Sequence, residues 1–252
     1  IQTAVDLWIS DPTTAEATYG NISDWDTSCV TDMSELFKGL ANFNDNISNW
    51  NVSSVVNMSE MFYNTHIFNQ NIGLWDVSNV TDMSNMFYNA HQFGDNQDLN
   101  SWDVSNVTTM ENMFRATMDS GSIGDLDNWD TSSVINMAGM FAFAPTFNGN
   151  ISSWNTSNVT DMSLMFGWAY VFNNSLNNWD TSSVTTLKEM FHNTHEFNQD
   201  LSNWDVSNVT DMSQLFYQAH SFNQYIGNWN VSNVTNMTYM FSGASVFNQD
   251  IG

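Results

Sequence analysis

The tryptophans of this chain fall on a nearly fixed period, and no other feature restricts the fold as strongly. Trp25, Trp50, Trp75, Trp102, Trp129, Trp154, Trp179, Trp204 and Trp229 each anchor a copy of one pattern. Its fullest form, WDVSNVTDMS, stands at 75–84 and again at 204–213. Neighbouring anchors are 25 residues apart, except Trp75 to Trp102 and Trp102 to Trp129, which are 27 apart. Units of that size cannot bury an apolar face alone, so they must stack on one another. Residues 25–252 therefore read as one repeat array. Residues 1–24 lie outside the period and carry the apolar cluster Val5, Leu7, Trp8 and Ile9, which reads as an N-terminal cap. The sequence FNQDIG stops just short of the next expected Trp, so the array is expected to be open at that end.

Within a repeat, counted from Trp as zero, Ile or Leu stands at −3, Val at +5, Met or Leu at +8 and Phe at +12. A second Phe follows at +18 in eight copies. Trp204, Asp205, Val206 and Ser207 alternate apolar and polar, which is strand periodicity. Met212, Leu215, Phe216 and Ala219 have the spacing of one apolar stripe on a short helix. Thr210 and Asp211 supply its cap and its acidic first turn. Stacked strands would form a parallel sheet stepping about 4.8 Å, whereas packed helices need about 8–10 Å. That mismatch should bend the stack. The expected fold is α/β: a curved right-handed solenoid of about nine strand–helix coils, with its parallel sheet on the concave side.

Alternation puts either Trp or its neighbours inside. Turning Trp outward would bury the +1 residue, which is Asp in six of nine repeats, and an unpaired buried carboxylate costs several kcal/mol. Trp is therefore predicted to be buried. The aspartates Asp26, Asp76, Asp103, Asp130, Asp180 and Asp205 then line the outer sheet face as a candidate binding surface. A solvated face that keeps the array soluble is the plainer reading of the same column.

These residues resemble the BspA-like leucine-rich-repeat surface proteins and the related repeats of Mycoplasma surface lipoproteins. The shared pattern is W-[DN]-[VT]-S-x-V-T-x-M-x-x-[ML]-F-x-x-[AT]-x-x-F-N, and it covers about 25–252. The resemblance implies a leucine-rich-repeat-like solenoid, secreted or surface-attached, often associated with adhesion or host contact. It supplies no catalytic residue set.

Charge narrows the partners further. The formal net charge is −24, with Lys38, Arg115 and Lys188 the only basic residues. Nothing here neutralises phosphates, so nucleic acid is not an expected partner. No apolar run is long enough to cross a membrane, so no membrane insertion is expected in this segment. The lone Cys29 excludes an internal disulfide framework.

Two neighbouring repeats carry enlarged returns, FGDNQDLNSW and FRATMDSGSIGDLDNW. Together they bring Asp95, Asp98, Asp119, Asp125 and Asp127, an oxygen-rich set that suits calcium, although a solvated acidic loop has the same composition. His66, His91, His195 and His220 recur at +16, two short of a zinc ligand set in each pair. Sequons such as those at Asn79, Asn106, Asn158, Asn208 and Asn233 mark candidate glycosylation sites, although the repeat itself generates them. His192, His195, Glu189 and Glu196 are close in sequence but form no nucleophile–base–orienter set, so no enzymatic activity is expected. The expected protein is a non-catalytic extracellular or cell-surface repeat protein that binds a protein or glycan on another surface through its acidic sheet face. The alternative is a structural subunit that binds copies of itself end to end as a filament or coat, stabilised by calcium.

Overall fold

The computed structural model describes residues 1–94, 97–117 and 121–251. Successive repeats stack in register. The residue at +7 of each repeat forms a single parallel bridge with +7 of the next, from Asp32–Asn57 through to Asp211–Asn236. Five backbone bonds, the bridge's own among them, recur at every junction. In the eighth repeat the N–H of Thr210 donates back to the Thr185 carbonyl. The N–H groups of Met212, Gln214, Phe216 and Gln218 donate forward to Asn236, Thr238, Met240 and Ser242 at 2.8–2.9 Å.

The expected α/β solenoid is wrong, and its leucine-rich-repeat likeness goes with it. Helix among the described residues is confined to α1 (Gln2–Ser10), α2 (Pro12–Tyr19) and the 3-10 turns Ile22–Asp24 and Leu99–Ser101. The bridges stay isolated and build no sheet. Without strands and helices of unequal spacing, the reason for a concave sheet disappears as well.

Backbone conformation explains both errors. In every repeat the residues at +10 and +14 have positive φ, as in Gln214 at 56° and Gln218 at 57°. A left-handed residue every fourth position stops an α-helix from propagating. Linked turns replace it, closed by Leu215 N–H to Met212, Tyr217 to Gln214 and Ala219 to Phe216. The apolar spacing is still satisfied, since Met212, Leu215, Phe216 and Ala219 are all fully buried. The supposed strand is broken at its second residue. Asp205 accepts the Ser207 N–H at 2.9 Å, and Val209 N–H then closes a turn onto the Val206 carbonyl.

Burial of the anchors follows the desolvation argument. Each anchor Trp is buried, and from Trp50 onward its indole N–H donates to the carbonyl of the −3 residue one repeat earlier at 2.7–3.3 Å. Trp25, with no repeat before it, donates to Gly20. The two phenylalanines of a repeat lie face to face, 3.8–4.3 Å between centroids where both are present. Equivalent +12 rings of neighbouring repeats are 5.4–5.9 Å apart. The +12 rings thus form one continuous column through the core. At +2, Thr27, Thr131, Thr156 and Thr181 replace Val without leaving a buried hydroxyl unpaired, because each donates to the +1 carbonyl of the next repeat.

Residues 1–24 pack on the first repeat. Val5 is buried, Trp8 meets Trp25 edge-on at 5.9 Å, and its indole N–H reaches Asp45. Asp11 caps α2 through the Thr14 N–H, with Pro12 at the first helical position.

Candidate functional site

The six +1 aspartates are exposed, but not as a sheet face. Asp26, Asp76, Asp103, Asp130, Asp180 and Asp205 each use one carboxylate oxygen to accept the N–H of the serine two residues on. Serine hydroxyls first and serine amides second hold the carboxyls of Asp26, Asp76, Asp130, Asp180 and Asp205 below their ordinary value. These side chains cap turns of their own repeat and leave their remaining oxygen at the surface. Columns at +7 and +19 do related work. Asp211 closes a turn with the Ser213 N–H, and Asn198 accepts the N–H of Asn223 in the next repeat.

The candidate calcium set falls only partly within the described residues. Asp95 and Asp119 lie outside the described residues. Asp125 accepts the Asn150 N–H, and Asp127 accepts from the amides of Asn100 and Asn150. Asp98 precedes the turn Leu99–Ser101. No group of three His, Cys, Asp or Glu among the described residues is placed to hold a metal ion. Asp125 and Asp127 thereby join successive repeats. Glycosylation at the +4 sequons is likewise unsupported. The side-chain nitrogen of Asn79, Asn106, Asn158, Asn208 and Asn233, the atom a sugar would need, donates to the +3 carbonyl of the preceding repeat at 2.7–2.8 Å.

The histidines meet, with tilted rings, in the pairs that their spacing implied. His66 and His91 are 5.0 Å apart, and His195 and His220 4.8 Å. Tyr170 continues the second pair at 4.9 Å from His195. Burial, and then the charge of His220, lower the His195 pKa against an opposing pull from Glu196.

Sequence reasoning missed a second file of side chains beside them. At +13 and +14 the linked turns bring residues of successive repeats into contact along the outside of the stack. Lys38 lies over Tyr63, and Tyr63 stacks on Tyr88. Arg115 sits between Tyr88 and Phe143, 5.7 and 5.2 Å from their centroids. Phe143 stacks on Trp168 at 4.4 Å, Trp168 on His192 at 4.1 Å, and His192 meets Tyr217 at 4.6 Å. Most of these rings are half-buried; His192 is nearly enclosed, and burial lowers its pKa against the pull of Glu189. Where this file meets Tyr170, a shallow depression of about 250 Å³ is lined by Ala116, Phe143, Pro145, Trp168 and Tyr170. Aromatic letters at +13 and +14 were visible in the sequence. Their contact was not, because it depends on the left-handed turn between them.

No helix of the described residues is long and apolar enough to cross a membrane. The family model described as Mycoplasma protein of unknown function, DUF285, matches in three overlapping segments, residues 11–123, 116–212 and 196–252. That match supports the Mycoplasma part of the sequence resemblance and not the BspA-like name. No curated protein and no solved structure matches.

Proposed function

The chain belongs to the DUF285 family of Mycoplasma proteins of unknown function, and from that premise we propose a non-catalytic, extracellular or cell-surface protein that adheres to a protein or glycan on another surface. The observation that carries this reading is the half-exposed file of rings and cations from Lys38 to Tyr217. Aromatic and arginine side chains on a rigid support are the groups that dominate recognition energetics. Here the turns that carry the rungs are bonded by backbone groups to neighbouring repeats. The exposed aspartate column adds a long-range attraction for basic surfaces, which acts on encounter rate more than on final affinity. The sequence offers no nucleophile–base set that would favour catalysis.

Antibodies against the folded chain should label intact cells of the producing organism, and beads coated with the chain should be retained saturably on foreign cells. Labelling only after cell lysis, with no retention of coated beads, would overturn the reading.

A further inference from the structure

Column +16 accepts residues as different as Ala41, Pro145, Tyr170 and Ser245, so the packing of the stack does not demand histidine there. His195 and His220 nevertheless follow one another on the seventh and eighth repeats, with ring centroids 4.8 Å apart and planes tilted by 32°. The backbone holds them in that register, since the Ser221 N–H donates to the His195 carbonyl at 3.1 Å. His220 is exposed and His195 half-buried, so neither ring belongs to the core.

A hydrogen bond at His220 identifies the nitrogen left for a ligand. Its Nδ1 lies 3.1 Å from the Gly243 carbonyl. A carbonyl only accepts, so Nδ1 carries the proton and Nε2 keeps its lone pair. Metal-binding imidazoles are oriented in this way, by donating the opposite N–H to a backbone carbonyl or a carboxylate. On the other side of the pair, Tyr170 lies against the His195 ring at 4.9 Å. Nitrogen–metal bonds of about 2.0–2.1 Å put a metal about 3 Å from the centre of each ring it binds. Two imidazoles on adjacent corners of a tetragonal ion therefore have centres about 4.4 Å apart. The observed spacing needs to close by only a few tenths of an ångström.

Two imidazoles are too few for a zinc site, which takes three or four protein ligands. Copper differs. Tetragonal Cu2+ accepts two nitrogens with water oxygens in its other positions, and it heads the affinity order for such ligands. A chain of net charge −24 also draws divalent cations towards it. We propose that His195 and His220 bind one Cu2+ ion between the seventh and eighth repeats, through Nε2 of His220 and one nitrogen of His195, with water completing the coordination. Tyr170 and the Gly243 carbonyl are positioning groups. No third side chain is required, in keeping with the lack of any three-residue His, Cys, Asp or Glu group of ligand geometry among the described residues. The site stands apart from the ring file and does not depend on the adhesion reading.

The test is pulsed EPR of the whole chain loaded with one equivalent of Cu2+, with affinity read by competition against glycine. The reference protein is H66F/H91F, which removes the other histidine pair. Tyr170 shows that column +16 accepts a six-membered ring, so phenylalanine keeps the stacking and removes only the nitrogens. The remaining histidine, His192, is enclosed between Trp168 and Tyr217 and stays in every variant. The reference should show modulation from two imidazole rings. Adding H220F should leave one ring and weaken binding by about tenfold or more, because a chelate becomes a single ligand. Adding H195F/H220F should abolish the imidazole modulation, with copper falling to carboxylates or the amino terminus, and should leave the metal-free Tm near that of the reference. One-ring modulation in the reference, two-ring modulation that survives H220F, or equal affinity with and without H195F/H220F would each overturn the site. Should H195F/H220F fail to fold, the ring count in H220F alone decides.

Discussion

The side-chain oxygen of Asn198 accepts the backbone N–H of Asn223, 25 residues on, at 2.9 Å. Asn223 does the same for Asn248, and Asn173 for Asn198. The column continues the backbone bonding of the stack through a region where main chain does not meet main chain. Asn198→Ala removes the acceptor and leaves a half-buried N–H without its partner, which costs about 1–3 kcal/mol. Asn198→Asp keeps an acceptor oxygen and should retain most of the stability at neutral pH. Urea midpoints of the two variants check this; equal losses would show that the ladder contributes nothing specific.

Trp154 separates ring burial from hydrogen bonding. Its indole is 2% exposed and donates to the Leu126 carbonyl at 2.8 Å. Trp154→Phe keeps an aromatic ring in the column and loses the donor, for an expected loss of about 1–2 kcal/mol. Trp154→Ala also opens a cavity and should lose about 3–5 kcal/mol. Chemical denaturation of both variants would reveal the ordering, and a Phe variant as damaged as the Ala variant would mean that the hydrogen bond outweighs the packing.

Much of this core was legible because desolvation leaves little choice: Trp, Val, Met and Phe at fixed positions had to be inside. The local structure was misread because one spacing admits two backbones. Met212, Leu215, Phe216 and Ala219 share a face on a helix, and they also share one on linked turns. The discriminating signal lay between them. Asn85, Asn112 and Gly139 at +10, with Gly39, Asn64, Asn89, Asn193 and Gly243 at +14, mark positions that favour left-handed backbone. The strand failed for a related reason, since Asp205 followed by Ser207 is a turn former as much as an alternating pair. Of the candidate site, the histidine pairs followed from period alone, whereas the contacts from Arg115 through Phe143 to Trp168 cross repeats and needed the turn geometry.

Acid should weaken the stack in two stages. His192 and His195 have pKa values lowered, chiefly by burial, below the ordinary 6.5. Their neutral forms favour the folded state, so that contribution is complete above about 6.5 and is lost as pH falls below it. Asp76, Asp130, Asp180 and Asp205 are held below 3.8 by serine donors. Their contribution is present above that value and is lost as pH falls through the folded pKa. Relief of repulsion in a chain of charge −24 runs the opposite way, so a differential measurement is needed. The quadruple variant D76N/D130N/D180N/D205N places in those repeats the asparagine already found at Asn51, Asn155 and Asn230, which make the same bond to serine. Its Tm should match or exceed wild type at pH 7 and fall less between pH 5 and pH 3. Parallel Tm curves would show that the serine bonds do not favour the ionised carboxyl.

Leu164 offers the converse of a damaging mutation. It occupies +10 with φ of 59°, where Asn85 and Asn112 hold nearly the same angle. It is only half-buried, and its backbone N–H already bonds to the Lys188 carbonyl. Relief of left-handed strain should therefore outweigh the modest apolar burial that leucine supplies there. Leu164→Asn is expected to stabilise the chain by about 0.5–1 kcal/mol and to raise its thermal midpoint. Calorimetry of this variant tests the turn geometry itself, because asparagine within a true helix would be unfavourable at the same position. A lower midpoint for Leu164→Asn would return the segment to a helical reading.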